Sequence, residues 1–173
     1  DDFMPLERAW LEELAERYPT EIALPFFGYI RPNSTGADSY RLLRQAGAFA
    51  MILRFPTAPS RKTDTNISRE RIIQTAHAIH DSGIRLLCEF IINNPLEGEE
   101  DHLDTLHILG EFPGHFGVVP SVPFSYYESC LFYQTIIHKN LADQFERIRG
   151  EHALVGKKSG LYSFWDSLYK LTQ

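Results

Sequence analysis

A glutamate set inside an apolar run is a chemical anomaly, and this chain carries one at Glu89, within Cys88-Glu89-Phe90-Ile91-Ile92. A carboxylate on a buried strand needs a partner, because a bare charge is costly to take out of water. Alternation with a period of two puts Glu89, Ile91 and Asn93 on one face and Cys88, Phe90 and Ile92 on the other. An inward Glu89 can hold substrate or cofactor; it can equally serve a structural ion pair with Arg85 or another base, and the sequence leaves both open. The run ends at Asn93-Asn94-Pro95, where Pro95 biases Asn94 toward extended backbone. A helix opening on Glu99, Glu100 and Asp101 follows, as the positive end of its dipole favours. Strand, polar turn and acidic helix start form the loop at the carboxyl end of a parallel strand, where α/β proteins place ligands. Arg31 stands just past one apolar strand and Arg54 near the end of another. Their planar forks suit a carboxylate or phosphate, with a solvated loop arginine as the plain alternative.

Other reactive residue types form weaker patterns. His77 and His80 lie three apart on one helical stretch and His102 and His107 sit on another, but no third ligand completes a metal-like spacing. Cys88 and Cys130 are the only cysteines and lie far apart, which suits incidental thiols in a cytoplasmic protein. No serine nucleophile elbow, P-loop or dinucleotide-binding glycine pattern occurs. A net charge of −6 argues against a nucleic-acid or membrane-surface role. No apolar run approaches the ~18 residues of a membrane span, and no signal peptide opens the chain. A small-molecule substrate is the partner class expected.

The elements that must position these residues alternate along the chain. At 173 residues and 43% hydrophobic content, one domain can bury a core. Pro5 to Tyr18 sets Leu6, Trp10, Leu11, Leu14 and Tyr18 on one helical face, with Pro5 in the first turn. Ile22 to Ile30 reads as a strand, broken by Arg31-Pro32-Asn33. Thr35 and Asp38 form a capping box for a helix ending at Gln45-Ala46-Gly47. Ala48 to Phe55 is the next strand, stopped by Pro56, and Thr57 to Ile67 is a polar loop containing Arg61 and Lys62. Ser68 caps a helix with Ile72, Ile73, Ala76 and Ile79 on one face, stopping at Gly83. Ile84 to Ile92, Glu99 to Leu109 and Gly114 to Pro120 read as strand, helix and strand. Beyond Ser121 aromatics crowd Phe124 to Phe132, as core or as the wall of a substrate channel, and helices are expected over Asn140 to Arg149 and Leu161 to Leu171. Such alternation gives parallel βαβ units with right-handed crossovers. Residues 1–120 would hold three to four of them and residues 121–173 an aromatic-rich helical extension. That is too few to close an eight-stranded barrel, but enough for an open sheet or part of a barrel.

Taken in order, these segments resemble the second half of the radical S-adenosylmethionine (radical SAM) enzyme core, most nearly the class found beside a cobalamin-binding domain. Asp1-Asp2-Phe3 is similar to the acidic pair after a middle strand in that family, and Arg31-Pro32 to its Arg-Pro after a later strand. Leu42-Leu43-Arg44-Gln45-Ala46-Gly47 resembles its helix end "LL-x-x-A-G", and Arg69 to Gly83 the helix before its next strand. Phe90 to Pro95, with Glu97 and Glu100-Asp101, resembles "FI-x-(G/D)-x-P-x-E-x-x-ED", continued by Asp104-Thr105-Leu106. Ser121 to Leu131 resembles "S-L-x-x-(Y/F)-P-G-T-x-L". The resemblance covers about three-quarters of the chain, and its strength lies in the order of the motifs. Three departures stand beside it. The signature CxxxCxxC is absent, and two cysteines cannot supply three thiolates. Pro56 occupies the place of the glutamate in "G-x-E-S-G". Asn93-Asn94-Pro95-Leu96 replaces the common "G-L-P-G", although a subset of members carries "D-N-P".

The resemblance implies an α/β fold: a partial, half TIM-like parallel barrel with an α-helical carboxyl-terminal extension. It implies a complete protein in which a [4Fe–4S] cluster reductively cleaves SAM to a 5′-deoxyadenosyl radical that takes hydrogen from substrate, with cobalamin as an optional cofactor. In the family, backbone groups of the turn matching Asn93-Asn94-Pro95 contact the adenine of SAM. Those three residues and Arg31, toward the SAM carboxylate, are the implied cofactor-binding set, and Glu89 is the implied catalytic or substrate-holding group. Asp1 and Asp2 would face the same cavity. The cluster ligands are expected in an amino-terminal half-barrel before Asp1, so the isolated chain is expected to be inactive. A half-barrel leaves sheet edges open, making a second copy or the missing half the expected protein partner. The alternative reading is a degenerate, non-catalytic barrel that binds a small molecule or a protein. A third is an unrelated small α/β enzyme with Glu89 as acid or base.

Overall fold

The structure, a computed structural model, describes residues 3–32, 36–56, 67–92, 99–119 and 122–123. Helices and strands alternate within them: α1 (Arg8–Glu21), β1 (Phe26–Ile30), α2 (Ala37–Ala46), β2 (Ala48–Pro56), α3 (Arg69–Asp81), β3 (Arg85–Ile92), α4 (Glu99–Gly110), β4 (Gly117–Val118) and β5 (Val122–Pro123). β1, β2, β3 and β4 lie side by side in chain order, and every pairing is parallel. β5 pairs further along β3, with the register shifted by one residue: Cys88 faces Val118 while Ile91 faces Val122. The sheet also reaches past β1. Phe3 forms a parallel bridge with Tyr29, and the Met4 N–H donates to the Tyr29 carbonyl at 2.8 Å. Parallel neighbours in chain order need a crossover between each pair, and when all crossovers share one hand, as the general rule for βαβ units has it, the helices return over the same face.

That face holds the core. Leu53 and Phe55 of β2 and Leu86, Cys88 and Phe90 of β3 are each at most 1% exposed, and they meet Leu11, Leu43, Ile72, Ile79 and Ile108 from the helices. Phe55 and Phe90 pack edge to face with centroids 5.2 Å apart. Each helix presents a stripe at three- and four-residue spacing, as for Ile72, Ala76 and Ile79 on α3.

The alternation expected from sequence is present, with local shifts that have physical causes. α1 starts at Arg8 rather than in a turn containing Pro5, because residues 3 and 4 are drawn into the sheet beside Tyr29. Its buried stripe centres on Leu11 and Ala15, leaving Trp10 37% exposed. β1 starts at Phe26 instead of Ile22: the amides of Ile22 and Ala23 still bond to Tyr18, Ala23 has φ 56, and Pro25 has no amide to give a ladder. Thr35 lies outside the described residues. The residue at the start of α2 is Gly36, without a side-chain cap, and Asp38 pairs with Arg41 at 3.1 Å. The Ser68 cap on α3 is present, its hydroxyl accepting from the Arg71 amide at 3.3 Å. Gly47 (φ 110) and Gly83 (φ 75) close the helix-to-strand turns before β2 and β3 with left-handed backbone. The expected extension over 121–173 lies outside the described residues except for β5. Among the described residues no helix is long and apolar enough to cross a membrane.

Candidate functional site

The strand face opposite the helices carries the polar chemistry. Register places Tyr29 beside Ile52 and Arg54 beside Glu89, so Tyr29, Arg54 and Glu89 share one side of three adjacent strands, near their carboxyl ends. Arg31, two residues beyond Tyr29, continues on that side. Its turn is held from α3: the buried Thr75 hydroxyl donates to the Pro32 carbonyl at 3.0 Å, sharing its proton with the Arg71 carbonyl at 2.7 Å.

Glu89 is the buried charge on this face, 5% exposed overall. Arg54 Nε donates to its Oε2 in an ion pair, and the Tyr29 hydroxyl donates to its Oε1 at 3.3 Å. Hydroxyl-to-carboxylate bonds are normally ~2.5–2.7 Å, so the tyrosine contact is the weaker one. Arg54 is the partner that makes a buried carboxylate tolerable at this position. Aromatic rings fix the guanidinium in turn: Arg54 Cζ lies 4.3 Å from the Tyr29 centroid and 5.7 Å from that of Phe3. Arg31 Cζ sits 4.1 Å over the same Phe3 ring, which meets Tyr29 edge-on at 6.4 Å. Among the described residues, two guanidiniums, two rings and one carboxylate thus converge at the strand ends. Cation–π contacts of this kind contribute about 0.5–2 kcal/mol each, depending on desolvation.

Of the residues singled out in the sequence, the structure brings Arg31, Arg54 and Glu89 to this face, while Asn93, Asn94 and Pro95 lie outside the described residues. The partner of Glu89 is Arg54 on the adjacent strand, not Arg85, which is exposed at the start of β3. Sequence reasoning passed over Tyr29, Phe3 and Thr75. Tyr29 had a signal, since it alternates with Arg31; the Phe3 bridge and the reach of Thr75 to Pro32 depend on tertiary pairing and had none.

The remaining reactive groups sit elsewhere. Cys88 faces the helix-side core, and burial pushes its thiol up, keeping it protonated. His77, His80 and His107 are exposed on α3 and α4, and burial lowers the half-buried His102. Among the described residues no three His, Cys, Asp or Glu side chains converge to hold a metal ion. A groove of about 220 Å³ on α1 is lined by Trp10, Leu14, Arg17, Tyr18 and Ile22 among others, and none of the strand-end residues contributes to it. Compared with protein-family models and with curated proteins, the sequence matches none of them.

Proposed function

We propose that the chain forms one half of a parallel βα barrel in a radical SAM enzyme, and that the strand face opposite its helices meets SAM and substrate. One observation carries this reading. Parallel positions run in unbroken chain order from the Phe3 bridge through β1, β2, β3 and β4, and the polar cluster of Tyr29, Arg31, Arg54 and Glu89 stands at their carboxyl ends. A sheet that keeps adding neighbours in one direction, helices always on one side, curves toward a barrel whose lumen is the other side. The choice of family rests on the order of the sequence motifs, which resembles that of the radical SAM core.

The residues fit SAM and do not fit the cluster. Arg31 stands exposed at a strand end with its guanidinium laid on the Phe3 ring, a cation of the right type and place to draw the amino-acid carboxylate of SAM to this face. Cys88, by contrast, is a protonated thiol on the wrong face, and the chain holds only two cysteines, so the cluster would be held by polypeptide outside these 173 residues. When cluster and SAM are present, their chemistry is reductive cleavage of SAM and hydrogen abstraction. The part of this chain is to bind, orient and exclude water. Calorimetric titration of SAM into the polypeptide that unites both halves tests the reading. Binding is expected, weakened about tenfold by Arg31→Ala, in line with loss of one charge-assisted contact; no heat of binding would remove it.

A second reading, a non-catalytic binding module, is favoured by the closure of Glu89, both of whose oxygens accept a hydrogen bond within the protein. SAM binding without any SAM cleavage under reducing conditions would select it.

A further inference from the structure

Glu89 is occupied at both carboxylate oxygens and its side chain is 6% exposed, so it has little left to offer a ligand. Arg54 differs. Its side chain is 26% exposed, and its bond to Glu89 uses Nε. The two Nη groups lie at the far end of the guanidinium from that bond, and among the described residues neither has a hydrogen-bond partner. The plane is also fixed, anchored by the carboxylate behind and by the Tyr29 ring 4.3 Å from Cζ. A planar fork held on one edge and open at its end loses little freedom when it takes a ligand.

We infer that Arg54, rather than Glu89, meets the ligand on this face and that the group it takes is a carboxylate, with Glu89 and Tyr29 as positioning residues. This names the substrate class for the reading above and rests on it only in treating the face as ligand-facing. The two Nη groups match the two oxygens of a planar carboxylate. The Arg54–Glu89 pair is formally neutral, so desolvation and repulsion from Glu89 cost a phosphate dianion more than a carboxylate, which brings one charge rather than two.

The test is an NMR titration of the arginine Nε–H resonances in the full 173-residue chain, at constant ionic strength, with acetate, acetamide or inorganic phosphate as probe. Acetate is expected to shift the Arg54 resonance saturably, acetamide to leave it in place, and phosphate to bind about tenfold more weakly than acetate. Arg54→Lys keeps the charge and loses the fork; with acetate followed on the backbone amides of Tyr29 and Glu89 in both proteins, it is expected to weaken acetate about tenfold while the spectrum stays dispersed. Glu89→Gln is expected to speed exchange of the Arg54 Nε–H with water and, although it removes a negative charge, to weaken acetate several-fold; loss of a purely structural carboxylate would speed the exchange too, but would leave acetate affinity unchanged or raised. Equal response to acetamide, tighter binding of phosphate, or unchanged acetate affinity in Arg54→Lys would each overturn the inference. An acetate response in a protein that fails to bind SAM supports the carboxylate site and removes only the SAM reading. SAM binding without an acetate response overturns the carboxylate site alone.

Discussion

At the scale of single residues, burial decides which charges can act. Glu89 was legible as an anomaly because a carboxylate interrupts an apolar run, and alternation fixed its face correctly. Its partner was not legible, since the pairing of Arg54 with Glu89 depends on the register between β2 and β3, which only the folded sheet defines. Removing one member of a buried pair strands the other, so Arg54→Ala is expected to destabilise the chain by about 3 kcal/mol. Adding Glu89→Gln to Arg54→Ala should recover about 1–2 kcal/mol of that loss, giving a measurable coupling in urea melts; strictly additive effects would show that the pair does not matter. Cys88 supplies a pH test. Burial raises its thiol, while an unfolded cysteine titrates near ~8.5. Above that pH the unfolded chain sheds a proton that the folded chain keeps. The contribution is therefore present below ~8.5 and lost as pH rises, at about 1.4 kcal/mol per unit. Urea melts of the native chain and Cys88→Ala should diverge in slope above pH ~8.5; parallel profiles would place Cys88 in a wetter site.

At the scale of elements, the parts read best from sequence were those set by local chemistry. Ser68 caps α3, and Gly47 and Gly83 stop α2 and α3, because capping and left-handed backbone are short-range demands. The parts read worst were the two ends of α1, where the sheet claims residues 3 and 4 and where Pro25 delays β1. Gly47 tests the stop directly. A Cβ there would meet only the Leu24 carbonyl at 3.6 Å, an ordinary contact, so the cost of Gly47→Ala is conformational: about 1–2 kcal/mol. Gly110, with open space around it and no positive φ, is the control, and Gly110→Ala should be neutral or stabilising by up to about 0.5 kcal/mol. Equal effects of the two substitutions on the urea midpoint would show that the turn before β2 does not need glycine.

At the scale of the whole molecule, alternation in the sequence yielded a parallel α/β sheet, and the helix-side core follows from the apolar runs. Chain order across the sheet and the convergence of Phe3, Tyr29, Arg31, Arg54 and Glu89 came only with the fold, because they join residues up to 86 positions apart, from Phe3 to Glu89. On the proposed reading this face would line the lumen of a barrel and meet SAM and substrate, and the buried Cys88 thiol on the other side would leave the cluster ligands to another polypeptide segment. The most direct measurement is EPR after anaerobic reconstitution with iron and sulfide, comparing residues 1–173 alone with the polypeptide that also carries three clustered cysteines, whether in the same reading frame or as a partner subunit. The expected result is a reduced [4Fe–4S] signal that changes on addition of SAM in the combined protein, and no such signal from residues 1–173 alone. A SAM-responsive cluster signal from the isolated chain, or none from the combined protein, would contradict the half-barrel reading.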